Sequence, residues 1–305
     1  MSEPSDDDLV HAGWRLVEAG NARGAITQLT SVLARAPQHV NGLTALTQAY
    51  LNLGDIAQAQ STASALLRAA PNAAAAHRLQ AEIYRRQSKV YDALPEARMA
   101  VKLDPNNVLS YHILGMTEIQ AKDYKAAIKT SDAGLQVAPA SAILLAQKAR
   151  AVFELEGAKT AEPFADEALR FAPTETFVLR NAARIAIARG NLERAKDLLT
   201  SVLRRNANDE EAVTLYLLTN PNRHGFVRAA SQFNNWRREH GVWGAIAWVS
   251  SFAGLIIVAL AVAAVCNVPG VLVGLGFRFF MRAQYADHRR EVKAHFAQSA
   301  LKASF

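Results

Sequence analysis

Two hydrophobic patterns follow one another along the chain. Through roughly residue 209, apolar and small residues recur in a frame of 34 positions. Pro37, Pro71, Pro105, Pro139 and Pro173 keep that spacing, and one further step reaches Ala207 in RRNANDEEA, where the proline is lost. A small residue stands 12 positions before each of these sites: Ala25, Ala59, Ala93, Ala127, Ala161 and Ala195. Another stands 24 before: Gly13, Thr47, Ala81, Gly115, Ala149 and Ala183. From Gly241 to Phe277 the pattern becomes 37 consecutive residues without Lys, Arg, Asp, Glu or His. The first pattern predicts repeated units that bury their apolar faces only against their neighbours. The second predicts a membrane-embedded segment, because roughly 20 apolar residues already span a bilayer. On either side of the run, Phe226, Ala230, Phe233 and Trp236, then Met281, Tyr285, Val292 and Phe296, recur at helical spacing among basic residues. That is the pattern of amphipathic helices lying among lipid head groups.

Within the repeats, proline stops the helix before it, because it lacks an amide hydrogen and collides with the preceding turn. Small residues at fixed places let helices approach closely. Tyr50 and Tyr84 match one another, as do Gly54 and Gly190. Period and residue types together make residues 6–209 resemble the tetratricopeptide repeat (TPR) family, in six units. The resemblance implies an all-α fold: a right-handed superhelical solenoid of about six antiparallel helix pairs, with Gly54 and Gly190 at turns between helices. Residues 210–219, EEAVTLYLLT, read as a seventh, lone capping helix. Departures from the family pattern are Glu118, where a large apolar residue is usual, and the missing proline of unit six. Pro95 and Pro163 share one repeat position, expected near the first turn of the second helix, where proline is tolerated.

The resemblance further implies a concave groove lined by the first helix of each pair. Carried over by register, its exposed positions are Asn41, Thr44 and Gln48; Arg78, Glu82 and Arg85; Leu109, His112, Met116 and Ile119; Ile143, Arg150 and Phe153; and Phe177, Arg180, Arg184 and Ile187. Arginines mixed with Met, Phe and Ile suit an extended, acidic peptide partner, since guanidinium forks pair with carboxylates while apolar pockets set spacing. A solvated helical face is the bland alternative. The carboxylate clamp of chaperone-binding relatives is not reproduced: only Asn181 falls on one of its positions, and its lysines are missing.

Charge sharpens the division near Pro221. Residues 1–222 carry 24 basic and 24 acidic residues, whereas residues 223–305 carry 10 basic and 3 acidic ones. Basic residues crowding an apolar run point to anionic lipid head groups rather than to nucleic acid. The expected organisation is a repeat domain over 1–220, a basic amphipathic linker helix over 221–242, a membrane-embedded region over 243–280 and a basic amphipathic C-terminal helix over 281–305. One helix of 37 residues would measure about 55 Å against roughly 30 Å of hydrocarbon. A hairpin turning at Asn267-Val268-Pro269-Gly270 therefore fits better than a single pass, and basic residues at both ends place both in the cytoplasm. Trp236, Trp243, Trp248, Arg278, Arg282, Arg289 and Arg290 are the expected interfacial residues.

No motif for chemistry stands out. Gly270, Gly274 and Gly276 lie inside the apolar run, where they ease helix packing and do not cradle phosphate. The single cysteine, Cys266, makes no internal disulfide, and its apolar surroundings quiet the thiol. Eight scattered histidines form no metal site; His288, Glu291 and His295 come nearest. The acidic start MSEPSDDDLV is unlike a secretory signal, which keeps the repeat domain in the cytoplasm. Taken together these features read as a non-enzymatic, membrane-anchored scaffold without cofactor or metal, capturing a protein partner in its groove. A structural subunit of a larger membrane or envelope-biogenesis assembly is the alternative.

Overall fold

The computed structural model describes residues 5–219 and 289–297. The expected linker helix and membrane-embedded region, with Trp236, Trp243, Trp248, Arg278 and Arg282, lie outside the described residues. Among the described residues every element is a helix, and no helix is long and apolar enough to cross a membrane.

The helices are α1 Asp6–Glu18, α2 Ala22–Arg35, α3 Val40–Leu53, α4 Ile56–Ala69, α5 Ala74–Arg86, α6 Val90–Leu103, α7 Val108–Gln120, α8 Tyr124–Val137, α9 Ala142–Glu156, α10 Ala158–Phe171, α11 Thr176–Arg189, α12 Leu192–Arg205 and α13 Glu210–Leu218. A further helix, α14, covers 289–297. From α3 to α13 each odd-numbered helix starts 34 residues after the previous one, and so does each even-numbered helix from α2 to α12. The repeat length seen in the prolines is thus the repeat length of the helices. Turns of one to three residues fold each second helix back along the first, the arrangement of an αα-hairpin.

Small residues make this folding-back possible. Ala25, Ala59, Ala93, Ala127, Ala161 and Ala195 are all fully buried, as are Thr47, Ala81, Ala149 and Ala183 from the second set. At Gly13 an added Cβ would strike the Leu29 side chain, and at Gly134 it would strike Leu144 and Tyr111. Larger apolar residues fill the remaining space. The chain divides into two compact units, residues 1–147 and 148–305. Val10, Leu29, Val32 and Leu46 form one core in the first, and Leu51, Leu66, Leu79 and Ile83 form the next. In the second unit Leu179, Leu199, Val202, Leu203, Val213 and Leu217 enclose the last core.

The turns share a backbone device. Gly20, Gly54 and Gly190 adopt left-handed φ values of 76°, 82° and 82°, and Ser88 and Lys122 stand at the same repeat position with φ of 61° and 63°. Four of the second helices begin on an Asn or Asp whose side chain accepts an amide hydrogen bond: Asn21, Asp55, Asp123 and Asn191. Lys89 and Gly157 replace that cap at α6 and α10. These are the two helices that contain proline. Pro95 and Pro163 sit at the sixth helical residue, one turn deeper than their expected place in the first turn. Their position denies a helical partner to the carbonyls of Tyr91 and Lys159, both exposed residues.

Candidate functional site

In the first unit the expected groove residues are largely engaged by their own chain. Glu82, only 7% exposed, accepts a bidentate pair from Arg85 at 2.7 and 2.9 Å and a third bond from Arg86 at 2.6 Å. Burial pushes the Glu82 carboxyl up, but the two guanidiniums outweigh it and hold it below the ordinary carboxylate range. Arg86 also donates to the Leu51 carbonyl at 2.6 Å, which joins α5 to α3. Burial pulls the Arg78 guanidinium down, opposed by the nearby Glu82. Gln48 donates to Asn52 on its own helix at 3.0 Å, while Asn41 is exposed and Met116 half-buried.

His112 belongs to a closed polar network. Its Nδ1 donates to Gln147 Oε1 at 2.8 Å, and the fully buried Gln147 amide donates to Ser131 Oγ at 3.0 Å. Burial drives the imidazole down to about 4, so the ring is neutral at physiological pH. Glu118 is 5% exposed at the repeat position held by Tyr50 and Tyr84, and accepts from Thr130 Oγ1 at 2.7 Å. Its carboxyl is pushed up by burial.

The second unit gathers charge from three helices. Arg150 comes from α9, Arg180 and Arg184 from α11, and all three meet the acidic first turn of α13. Arg180 Nη1 donates to both oxygens of Asp209, at 3.0 and 2.8 Å. Arg184 Nη2 pairs closely with Glu211 Oε1, which also faces Arg150 Nη1 at 3.4 Å. Arg180 Nε lies 3.5 Å from Glu211 Oε2. One carboxylate therefore serves three guanidiniums. Burial would push Glu211 up, yet the three positive charges hold its carboxyl below the ordinary range. Arg150 moves down, first through burial and then through the like charge of Arg184.

The three arginines that the register assigned to the groove share carboxylate partners here, and those acids were not among the expected residues. One more step of 34 from Phe177 reaches Glu211, so continuing the groove positions into α13 finds it. Asp209 is the N-cap of α13 and accepts the Ala212 amide at 3.0 Å. Of the expected groove residues, Thr44, Ile119 and Phe153 turn inward as Glu82 does, and so does Asn181, the one residue on a clamp position. Phe153 is 6% exposed, because its ring packs in the core and does not line a surface. Asn181 is buried and donates to the Phe177 carbonyl at 2.8 Å, on its own helix.

Helix α14 also packs on α13. Phe296 is 3% exposed in the last core and meets the Tyr216 ring edge-on at 5.5 Å, with Val292 beside it. Arg289 and Lys293 both pair with Glu210. Val292, Phe296 and Arg289, expected at head groups, are thus used within the chain, and Arg290 is exposed; Met281 and Tyr285 lie outside the described residues. Among the described residues no group of three His, Cys, Asp or Glu is placed to hold a metal ion.

These features agree with the comparisons. The tetratricopeptide repeat profile matches residues 16–83. No curated protein matches the chain in sequence. A tetratricopeptide repeat protein from Parabacteroides merdae superposes with a TM-score of 0.60 at 17% identity, over 70% of this chain and 84% of that one. A chain of the APC/C hetero-tetramer Cut9-Hcn1 gives 0.62 at 17% identity over 78% of this chain, which spans only 48% of that one. PilW, a type IV pilus biogenesis factor, gives 0.56 at 15% identity, over 70% and 99% respectively. The fold is that of the tetratricopeptide repeat.

Proposed function

We propose that the chain is a membrane-anchored scaffold whose repeat domain captures an acidic peptide segment of a protein partner. The observation that carries this reading is the convergence of Arg150, Arg180 and Arg184 on carboxylates, from positions that the family register assigns to the binding groove. Guanidinium forks are suited to carboxylate recognition, and three of them at partly exposed positions form a charge-assisted receptor. The uncharged run from Gly241 to Phe277, flanked by basic residues, supports anchoring at a bilayer with anionic head groups. Holding captured partners at one surface raises their effective concentration for a second event. Recruitment of this kind requires no catalytic group.

Two changes to the full chain test the two halves of the reading separately. The intact chain is expected in the pellet after carbonate washing of membranes, and a chain lacking 241–277 in the supernatant. Charge reversal by Arg150→Glu with Arg184→Glu is expected to abolish cross-linking of the chain to its protein partner without releasing the chain from the membrane. An intact chain in the supernatant overturns the anchor. Undiminished cross-linking after charge reversal overturns acidic-peptide capture.

A further inference from the structure

The arginine cluster contains more donors than its own acids satisfy. The Nε–H groups of Arg150, Arg180 and Arg184 are all buried and find no hydrogen-bond acceptor among the described residues. Buried donors left unpaired are costly, because they give up water without gaining an acceptor. Glu211 offers two oxygens to three guanidiniums, and its nearest approaches to Arg150 and to Arg180 Nε are long, at 3.4 and 3.5 Å. A carboxylate with better-placed oxygens would satisfy this cluster more fully.

The two acids are not equally held. The Asp209 side chain is 8% exposed, caps α13 and takes both bonds from Arg180, so it belongs to the helix start. The Glu211 side chain is 37% exposed and caps nothing. Ala212, Val213, Leu215 and Leu217 anchor α13 in the last core, so the helix stays while the Glu211 side chain can rotate to solvent. Its departure opens Arg150 and Arg184 to another carboxylate while α13 keeps its core contacts.

Resting on the acidic-peptide reading above, we propose that Glu211 is a built-in competitor: it occupies the carboxylate site of Arg150 and Arg184, and an acidic side chain or terminal carboxylate of the partner peptide binds by displacing it. The site is thereby kept neutralised until a ligand with several carboxylates arrives. A single free carboxylate competes poorly against one tethered beside the site, whereas an acidic cluster gains from the unpaired donors. Affinity for the partner is reduced by the fraction of time Glu211 is seated.

The test uses the full-length chain in mild detergent and a fluorescein-labelled hexaglutamate peptide, read by anisotropy. Glu211→Gln and Glu211→Ala are each expected to bind the peptide about tenfold more tightly than the unaltered chain. Arg150→Glu with Arg184→Glu, placed in either background, is expected to abolish the binding. Matching helical circular dichroism across the set shows that the fold is kept, and the isosteric Glu211→Gln serves if Glu211→Ala melts early. Equal binding with and without Glu211, lost on arginine reversal, overturns the competitor and leaves acidic-peptide capture standing. Binding that ignores arginine reversal, or no binding by any form, overturns both.

Discussion

His112 Nδ1 and Gln147 Oε1 lie 2.8 Å apart, and through that bond a histidine at an expected groove position becomes part of a buried amide network. Because the oxygen can only accept, the imidazole carries its proton on Nδ1. Burial keeps the ring neutral down to about pH 4, against an ordinary value of 6.5.

This sets a pH dependence. The unfolded chain binds a proton at this residue near pH 6.5, and the folded chain resists until about 4. Stability contributed by neutral His112 is complete above 6.5 and is lost as pH falls toward 4, by roughly 3 kcal/mol at most. Urea midpoints measured from pH 7 to pH 4 are expected to fall more steeply for the unaltered chain than for His112→Gln. The paired comparison matters, because Glu118 acts with opposite sign over part of the same range.

Glu118 is a carboxyl in a place built for an aromatic ring, and burial raises it. Ionising it in the folded chain therefore works against folding. Glu118→Gln keeps an acceptor for Thr130 without a charge and is expected to stabilise the chain increasingly as pH rises above the ordinary carboxylate range. The gain should vanish at pH 4, where the native carboxyl is protonated as well. Denaturant titrations at pH 4 and at pH 7.5 check both halves.

Gly115 admits the Gln147 amide against the α7 backbone; a Cβ there would overlap the amide nitrogen. Alanine is the better helix former by about 1 kcal/mol, but Gln147 is fully buried and fixed by hydrogen bonds. Gly115→Ala is expected to destabilise by about 2 kcal/mol through overpacking. In a Gln147→Ala background the same Gly115→Ala change should cost much less, which thermal melts of the two single variants and the double resolve.

Left-handed turns offer a comparison within one protein. Gly54→Ala puts a Cβ on a residue with φ of 82° and is expected to cost about 1 kcal/mol. Lys122→Gly relieves the same strain at φ of 63° and is expected to stabilise by about 0.5 kcal/mol. Melting temperatures should move in opposite directions.

Phe296 closes the last core from α14. Phe296→Ala is expected to reduce protection there by about 3 kcal/mol. Hydrogen exchange should quicken at 289–297 and across α13 together; faster exchange in α14 alone would show that α13 does not depend on it.

The sequence by itself determined the helical repeat, its length, the buried small residues and the helix boundaries that follow the prolines. Each of these rests on local chemistry repeated every 34 residues: a proline that cannot continue a helix, and an alanine that lets two helices touch. The same register named Arg150, Arg180 and Arg184 as one surface, because a fixed period places equivalent residues on equivalent faces. What only the tertiary structure decided is which charges meet. Glu211 counters three arginines from two other helices, Glu210 holds Arg289 and Lys293 across more than seventy residues of chain, and Phe153 turns into the core. Such partners are chosen by rotamers and by the space left between packed helices, which hydrophobic periodicity does not encode. The register says where a side chain is rooted; packing against its neighbours decides where its charge ends up.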